Sequence, residues 1–202
     1  DRVHREESPI NVEEWGRLVD KQARHEGRLV YGVDVAPSRD RATVGVAGAR
    51  AGGGYLVEQI EARPGTRWVP EFLREVIARN GGAGVAVDPG SAAGALIPDL
   101  EAMGLEVIQM TARQHAQACG ALVDRVPTGE LFHLGQPALD DAVAGAKKRT
   151  LGDAWAWDRR QPDADITPLV AVTLAFGALL SLPPEEEDGS LSVYSERGFV
   201  EW

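Results

Sequence analysis

Apolar and polar positions follow two rhythms along the chain. Arg28 to Val35, Ala42 to Ala47 and Tyr55 to Ile60 are strand-length runs rich in β-branched residues. The second and third are separated by Gly52-Gly53-Gly54, so the three predict an antiparallel meander. After Pro64-Gly65 the apolar positions Trp68, Phe72, Leu73, Val76 and Ile77 recur at helical spacing as far as Gly81-Gly82. Gly84 to Asp88 reads as a fourth, buried strand, with Ser91 placed to cap a helix running through Leu96 and Leu100. Leu105 to Met110 predicts a fifth strand, and Thr111 or Ala112 opens a helix reaching Val126.

The remainder is less regular. A short run at Leu131-Phe132-His133-Leu134 precedes a helix near Pro137 to Ala146, and Ala154-Trp155-Ala156-Trp157 has the pattern of a hairpin arm. The last helix begins at Thr167-Pro168, a favourable entry, and is apolar on nearly every face through Leu180, as a buried helix requires. Pro183-Pro184 ends it. Ahead of the meander, Pro9 to Asp20 reads as one or two helical turns. Three strands followed by alternating helices and strands predict an α/β fold with a five-stranded mixed sheet, order 3-2-1-4-5, strand two antiparallel, and helices on both faces.

Composition narrows the class. At 44% hydrophobic and 26% charged over 202 residues, the chain can form one globular domain. The longest apolar stretch, Leu169 to Leu182, is shorter than the roughly 20 residues that span a bilayer, and no membrane association is expected. A single cysteine, Cys119, excludes an internal disulfide, and four scattered histidines cannot build a Cys/His zinc cluster with it. The net charge of −10 argues against a protein that merely coats nucleic acid, but its distribution changes that conclusion. Residues 1–20 hold six acids against three bases, residues 185–202 six against one, and the central 164 residues 19 against 17. The core domain is nearly neutral.

Three aspartates occupy costly positions. Asp34 interrupts an apolar strand, Asp88 ends a buried one, and Asp165 lies just before the buried last helix. A carboxylate so placed pays desolvation unless something positive meets it. No Lys or Arg lies within four residues of Asp88, and only Arg39 and Arg41 follow Asp34. A divalent cation would supply the charge, and hard carboxylate oxygens without thiolates favour Mg²⁺ or Mn²⁺. Two such ions about 3.5–4 Å apart are suited to phosphodiester cleavage by water. Lys147, Lys148, Arg149, Arg159 and Arg160 flank the expected hairpin and are candidates for contacts to DNA phosphates. Trp155 and Trp157 share a strand face and are expected to pack rather than stack on bases.

Three blocks carry a family resemblance: Tyr31-Gly32-Val33-Asp34-Val35-Ala36, Val87-Asp88-Pro89, and Gly152 to Arg160 followed by Asp165-Ile166-Thr167-Pro168-Leu169-Val170-Ala171. They resemble the nuclease domain of tailed-bacteriophage large terminase subunits, of the RNase H-like, retroviral-integrase-like superfamily. The resemblance runs from about Val30 to Leu180. It implies a metal-dependent endonuclease that cuts double-stranded, concatemeric viral DNA with low sequence specificity during genome packaging in the host cytoplasm. It makes Asp34, Asp88 and Asp165 the catalytic metal ligands, with Asp40 and Asp163 as auxiliary acids. Asp163 competes with Asp165, which its position relative to Pro168 favours.

The partners implied are double-stranded DNA, the terminase ATPase motor, the small terminase subunit and the portal. No Gly-x-x-x-x-Gly-Lys-[Ser/Thr] loop is present, so the chain is not expected to translocate DNA alone. The expected division is residues 1–27 as a lead-in from a motor, 28–182 as the nuclease domain and 183–202 as an acidic tail able to dock on the portal or capsid. A junction resolvase or transposase of the same fold, and a non-catalytic packaging or docking module, are the alternatives.

Overall fold

A computed structural model describes residues 7–160, 164–185 and 202. Strands β1 (His25–Val35), β2 (Arg41–Arg50) and β3 (Tyr55–Pro64) form the antiparallel meander. β4 (Gly84–Val87) lies parallel to β1 on its other side, and β5 (Val107–Gln109) parallel to β4. The sheet order β5-β4-β1-β2-β3 is therefore the one the sequence predicts. A sixth strand, β6 (Leu131–Phe132), adds to the outer edge of β3 in parallel. Two residues are too few to announce a strand by periodicity, and the pairing Tyr55↔Leu131 is a tertiary event.

The meander strands are longer than the apolar runs. β3 continues to Pro64 past a register irregularity opposite Val44/Gly45, because pairing with β2 holds residues that have no apolar pattern of their own. The region after Asp88 is also broken: Ala92–Leu96 is a 3₁₀ turn capped by Ser91, and the α-helix proper, α3 (Ile97–Ala102), starts only where Pro98 fits a first turn.

The helices form two layers. α2 (Val69–Asn80) covers the face bearing Tyr31, Val33, Val44, Val46, Val85 and Val87. The opposite face carries α6 (Thr167–Ser181), in which the first twelve residues are all buried, with α4 (Ala112–Thr128) and α5 (Pro137–Gly145) packed around it. Close approach of α6 depends on Gly32 and Gly45, cross-strand partners in β1 and β2. A Cβ on Gly32 would lie 2.0 Å from the Ala171 carbonyl oxygen, and one on Gly45 2.8 Å from Val172. A helix can rest directly on the sheet only where both side chains are absent.

Ahead of the sheet, α1 (Val12–Arg17) is capped by Asn11 and held by Trp15, which stacks on His133 at 4.0 Å and donates its indole N–H to Asp140. The His133 ring accepts at Nδ1 from Gly135 and donates from Nε2 to the Trp15 carbonyl, so it is held as the neutral Nε2–H tautomer. Burial pushes its pKa below the usual histidine value, against the opposing pull of the Trp15 carbonyl and Asp140.

β7 (Lys148–Leu151) and β8 (Ala154–Trp157) form a separate hairpin. Trp157 is buried and donates to Thr173 of α6, while Trp155 packs edge-on against it, so both tryptophans pack as expected. Cys119 is buried in α4, and burial pushes its thiol up to about 12, leaving it inert at neutral pH. No helix among the described residues is long and apolar enough to cross a membrane. Of the tail, Pro183 and Glu185 meet Arg28, residues 186–201 fall outside the described residues, and the Trp202 ring meets His25 and Tyr31 edge-on with its N–H directed to Glu58.

Candidate active site

The parallel strands β1, β4 and β5 end on the same edge of the sheet, and α4 and α6 start there. Such an edge, outside the carboxyl ends of strands, is where α/β folds collect functional groups. Asp34 lies one residue before the end of β1, on the face covered by α6, and is fully buried. Asp88 follows β4 directly. Asp165 sits two residues before α6.

Asp34 and Asp165 line one cavity of about 480 Å³, together with Asp40, Arg41, Arg159 and Thr167. Two hydroxyls tie Asp165 to the strand beside Asp34. Thr43, the cross-strand partner of Asp34, lies 2.7 Å from the Thr167 hydroxyl, and Thr167 donates both its hydroxyl (2.8 Å) and its backbone N–H (3.0 Å) to Asp165 Oδ1. Because a carboxylate only accepts, the Thr167 proton points to Asp165 and the Thr43 proton to Thr167. Asp165 Oδ2 meets Arg41 at 3.2 Å. Asp40 is exposed at the cavity mouth, bonded to Ser38, in a turn where Arg39 has φ 61° and donates to the Ala92 carbonyl.

Asp88 is not among the residues lining that cavity. Its Oδ2 lies 3.0 Å from His115 Nδ1, and its Oδ1 accepts from the Gly90 N–H. Burial raises the Asp88 pKa, but the His115 and Gly90 hydrogen bonds outweigh it and hold the carboxyl below its ordinary value. At Asp34 the balance is reversed. Burial is the larger effect and pushes the carboxyl up, although Arg159 Nη1 donates to Oδ1 at 2.5 Å. Asp34 Oδ2, Arg159 Nη2 and His115 Nε2 are all buried with no hydrogen-bond partner.

The structure adds partners that local sequence does not show. Side-chain partners for Asp34 and Asp88 exist within the chain: Arg159 meets the buried Asp34 from 125 positions away and His115 meets the half-buried Asp88 from 27. A search within a few residues could not find them. Arg159, a candidate for DNA phosphates, donates to Asp34 as well as lining the basic cleft; without it the buried carboxylate would be left as an uncompensated charge. The three acids gather at one edge without closing into a single cage. Among the described residues, no three Asp, Glu, His or Cys side chains are grouped closely enough to hold one ion. Asp163 lies outside the described residues.

The other basic candidates are at the surface. Arg149 and Arg160 line a second cleft of about 420 Å³ with Arg159, Pro37, Ser91 and Ala92. Lys148 lies over the Trp155 ring at 4.5 Å, and the Lys147 carbonyl accepts from the Asp158 N–H. His115 was the residue sequence reading missed. Its signal was the Thr111-x-x-Gln114 capping box, which fixes the start of α4 beside the end of β4 and puts His115 in the first turn.

The site donors fit a hard divalent cation. Asp34 offers an unpartnered buried oxygen, Asp40 and Asp165 line the same cavity, and no thiolate is among its lining residues.

The sheet order and the helix lying across its centre are those of the RNase H-like α/β fold. Solved structures of the same fold include bacteriophage large terminases and large terminase nuclease domains. The HK97 bacteriophage large terminase matches with a TM-score of 0.72 and 16% identity, over 85% of this chain and 43% of that one. The large terminase nuclease of thermophilic phage G20c with bound cobalt gives 0.61 and 14%, over 85% and 97%. A mutant nuclease domain of the large terminase subunit of bacterial virus Sf6 with manganese gives 0.60 and 11%, over 84% and 98%. The chain thus spans less than half of the HK97 protein and nearly all of the isolated nuclease domains. No family model matches the sequence, and no curated protein matches it. At these identities the likeness establishes the fold.

Proposed function

We propose that the chain is a divalent-metal-dependent endonuclease that cuts double-stranded DNA, the nuclease part of a large terminase subunit acting on concatemeric viral DNA with little sequence preference. The observation that carries this reading is the unpartnered oxygen of buried Asp34 in a cavity shared with Asp165, on the edge of a sheet of this fold. Neighbours solved with cobalt, magnesium and manganese support a divalent ion. The all-oxygen donor set suits Mg²⁺ or Mn²⁺, two ions being the arrangement that serves phosphodiester hydrolysis.

Asp34, Asp165 and Asp88 are the residues that would hold ions, with Asp40 and Asp163 as auxiliaries. When bound, such ions stabilise charge on the phosphoryl oxygens and favour attack by water. The chain does the positioning. Thr167 fixes one Asp165 oxygen and leaves the other free to exchange Arg41 for a cation. His115 and Gly90 fix Asp88. The start of α6 brings the positive end of a helix dipole toward the acids. Lys147, Lys148, Arg149 and Arg160 would hold the DNA backbone as it approaches. The ATPase motor, small terminase subunit and portal would be its partners in the host cytoplasm, with residues 1–27 leading in, 28–182 as nuclease and 183–202 as docking tail.

The test is incubation of supercoiled and linear plasmid with the purified chain in Mg²⁺, Mn²⁺ or EDTA, beside Asp34→Asn, Asp88→Asn and Asp165→Asn. Nicking and linearisation that need the metal and vanish in the variants are expected. Cutting that persists in EDTA, or in Asp34→Asn, would refute the reading.

A further inference from the structure

Three buried polar atoms lack partners: Asp34 Oδ2, Arg159 Nη2 on the guanidinium bonded to Asp34, and His115 Nε2 on the ring bonded to Asp88, the residue that follows β4. Leaving one such atom unpaired in a folded protein is costly, and three together mark a site whose groups are satisfied in another arrangement. Arg159 stands at its centre. Together with Pro37 it lines both the acidic cavity that contains Asp34 and Asp165 and the neighbouring cleft that contains Arg149 and Arg160. It is therefore the partition between a cation site and an anion site. The cleft carries three guanidinium groups and no acidic side chain among its lining residues, which is the composition that receives a phosphate.

We propose that Arg159 is an exchangeable counter-ion: it holds Asp34 until a phosphate of the DNA backbone, seated in the cleft with Arg149 and Arg160, draws it off and frees Asp34 for the divalent cation. The reasoning is electrostatic. With Arg159 on Asp34, an arriving divalent cation meets a carboxylate already neutralised and a fixed positive charge beside it. With Arg159 turned to a phosphate, both charges are matched, and Asp34 Oδ2 and Arg159 Nη2 gain partners. The guanidinium needs only to rotate across the wall it already forms, since its side chain is partly exposed on the cleft side. Duplex and cation then bind cooperatively, and by linkage each strengthens the other by the same factor. A packaging nuclease built this way loads its ions where DNA is present and stays unloaded elsewhere. The inference rests on the metal-nuclease reading above.

The test reads binding rather than cleavage. Ca²⁺ affinity is measured by isothermal titration calorimetry on the full chain, alone, with a short duplex and with inorganic phosphate. The proteins are wild type, Arg159→Gln and the double variant Arg149→Ala/Arg160→Ala. In wild type the duplex is expected to tighten Ca²⁺ about tenfold or more, within the usual range of coupling between sites. Arg159→Gln is expected to bind Ca²⁺ about tenfold more tightly without DNA and to gain less than about threefold from the duplex. The double variant, altered only at exposed residues, should lose the duplex effect while still folding. Arg159→Gln binding Ca²⁺ no better than wild type overturns the counter-ion role. Inorganic phosphate giving the full tightening overturns DNA as the occupant. Absence of Ca²⁺ binding in every protein and condition removes the metal reading itself, and the counter-ion with it.

Discussion

Replacing Gly32 by alanine adds one methyl group and tests how the fold delivers its acids to one place. An ideal Cβ at this position lies 2.0 Å from the Ala171 carbonyl oxygen and 3.0 Å from the Ala175 nitrogen, both backbone atoms of α6 that no rotamer change can move. Restoring an ordinary contact near 3.4 Å requires α6 to withdraw by roughly 1.4 Å, and a gap of that size forfeits more than about half of the dispersion well along the interface. Overpacking of this kind costs about 3 kcal/mol, whereas the relief of glycine's entropy in a strand returns only about 0.5–1 kcal/mol. The first effect wins. The net loss is about 2–2.5 kcal/mol, and for a domain of this size the melting temperature should fall by about 4–10 °C. Because Asp165 and Thr167 move with the start of α6, the 2.7 Å link between Thr43 and Thr167 is disturbed too, and cleavage should fall with stability. Circular dichroism melts and plasmid nicking on the same preparations measure both. Gly16→Ala is the control, since nothing lies within 4 Å of its Cβ in the exposed helix α1, and it should be neutral or slightly stabilising. A Gly32→Ala protein that melts within about 1 °C of wild type would show that α6 does not rest on the sheet as described.

Asp34→Asn should reduce metal-dependent cleavage by about a hundredfold or more, the scale of losing several kcal/mol of charge stabilisation, and should abolish the rise in melting temperature that Mn²⁺ gives wild type; an undiminished Mn²⁺ shift refutes the ligand assignment. Asp88, held below its ordinary pKa of 3.8, contributes stability that is complete above that value and is lost as pH falls through the lower folded value. His115→Gln should shrink this acid-limb loss in urea titrations, and an unchanged limb would show that His115 does not hold the Asp88 proton equilibrium. His133, kept neutral by burial, contributes stability that is full above its ordinary 6.5 and declines as pH falls from there toward its depressed folded value. Melting temperatures of wild type should therefore drop more steeply than those of His133→Gln between about pH 7 and pH 5; parallel curves would refute it.

Much of the architecture was present in local pattern. The β-branched runs around Val33, Val44 and Val57, the shift to helical spacing after Pro64-Gly65 and the apolar length after Thr167-Pro168 each encode an element by its own period. Three strands followed by alternating elements then leave few topologies for the sheet. Asp34, Asp88 and Asp165 also stood out in sequence, because a carboxylate in an apolar context is anomalous wherever it later lies. Partnership was not encoded in this way. Arg159 meets Asp34, His115 meets Asp88 and Thr43 meets Thr167 across spans of 125, 27 and 124 residues, distances that mean nothing to a periodic signal. β6 likewise exists only because an edge of β3 was available to two residues. The sequence by itself determined which segments are strands and helices and which acids are out of place, since burial and periodicity are local properties. Only the tertiary structure decided which charge neutralises which, because a buried ion pair is chosen by proximity in space after the chain has closed.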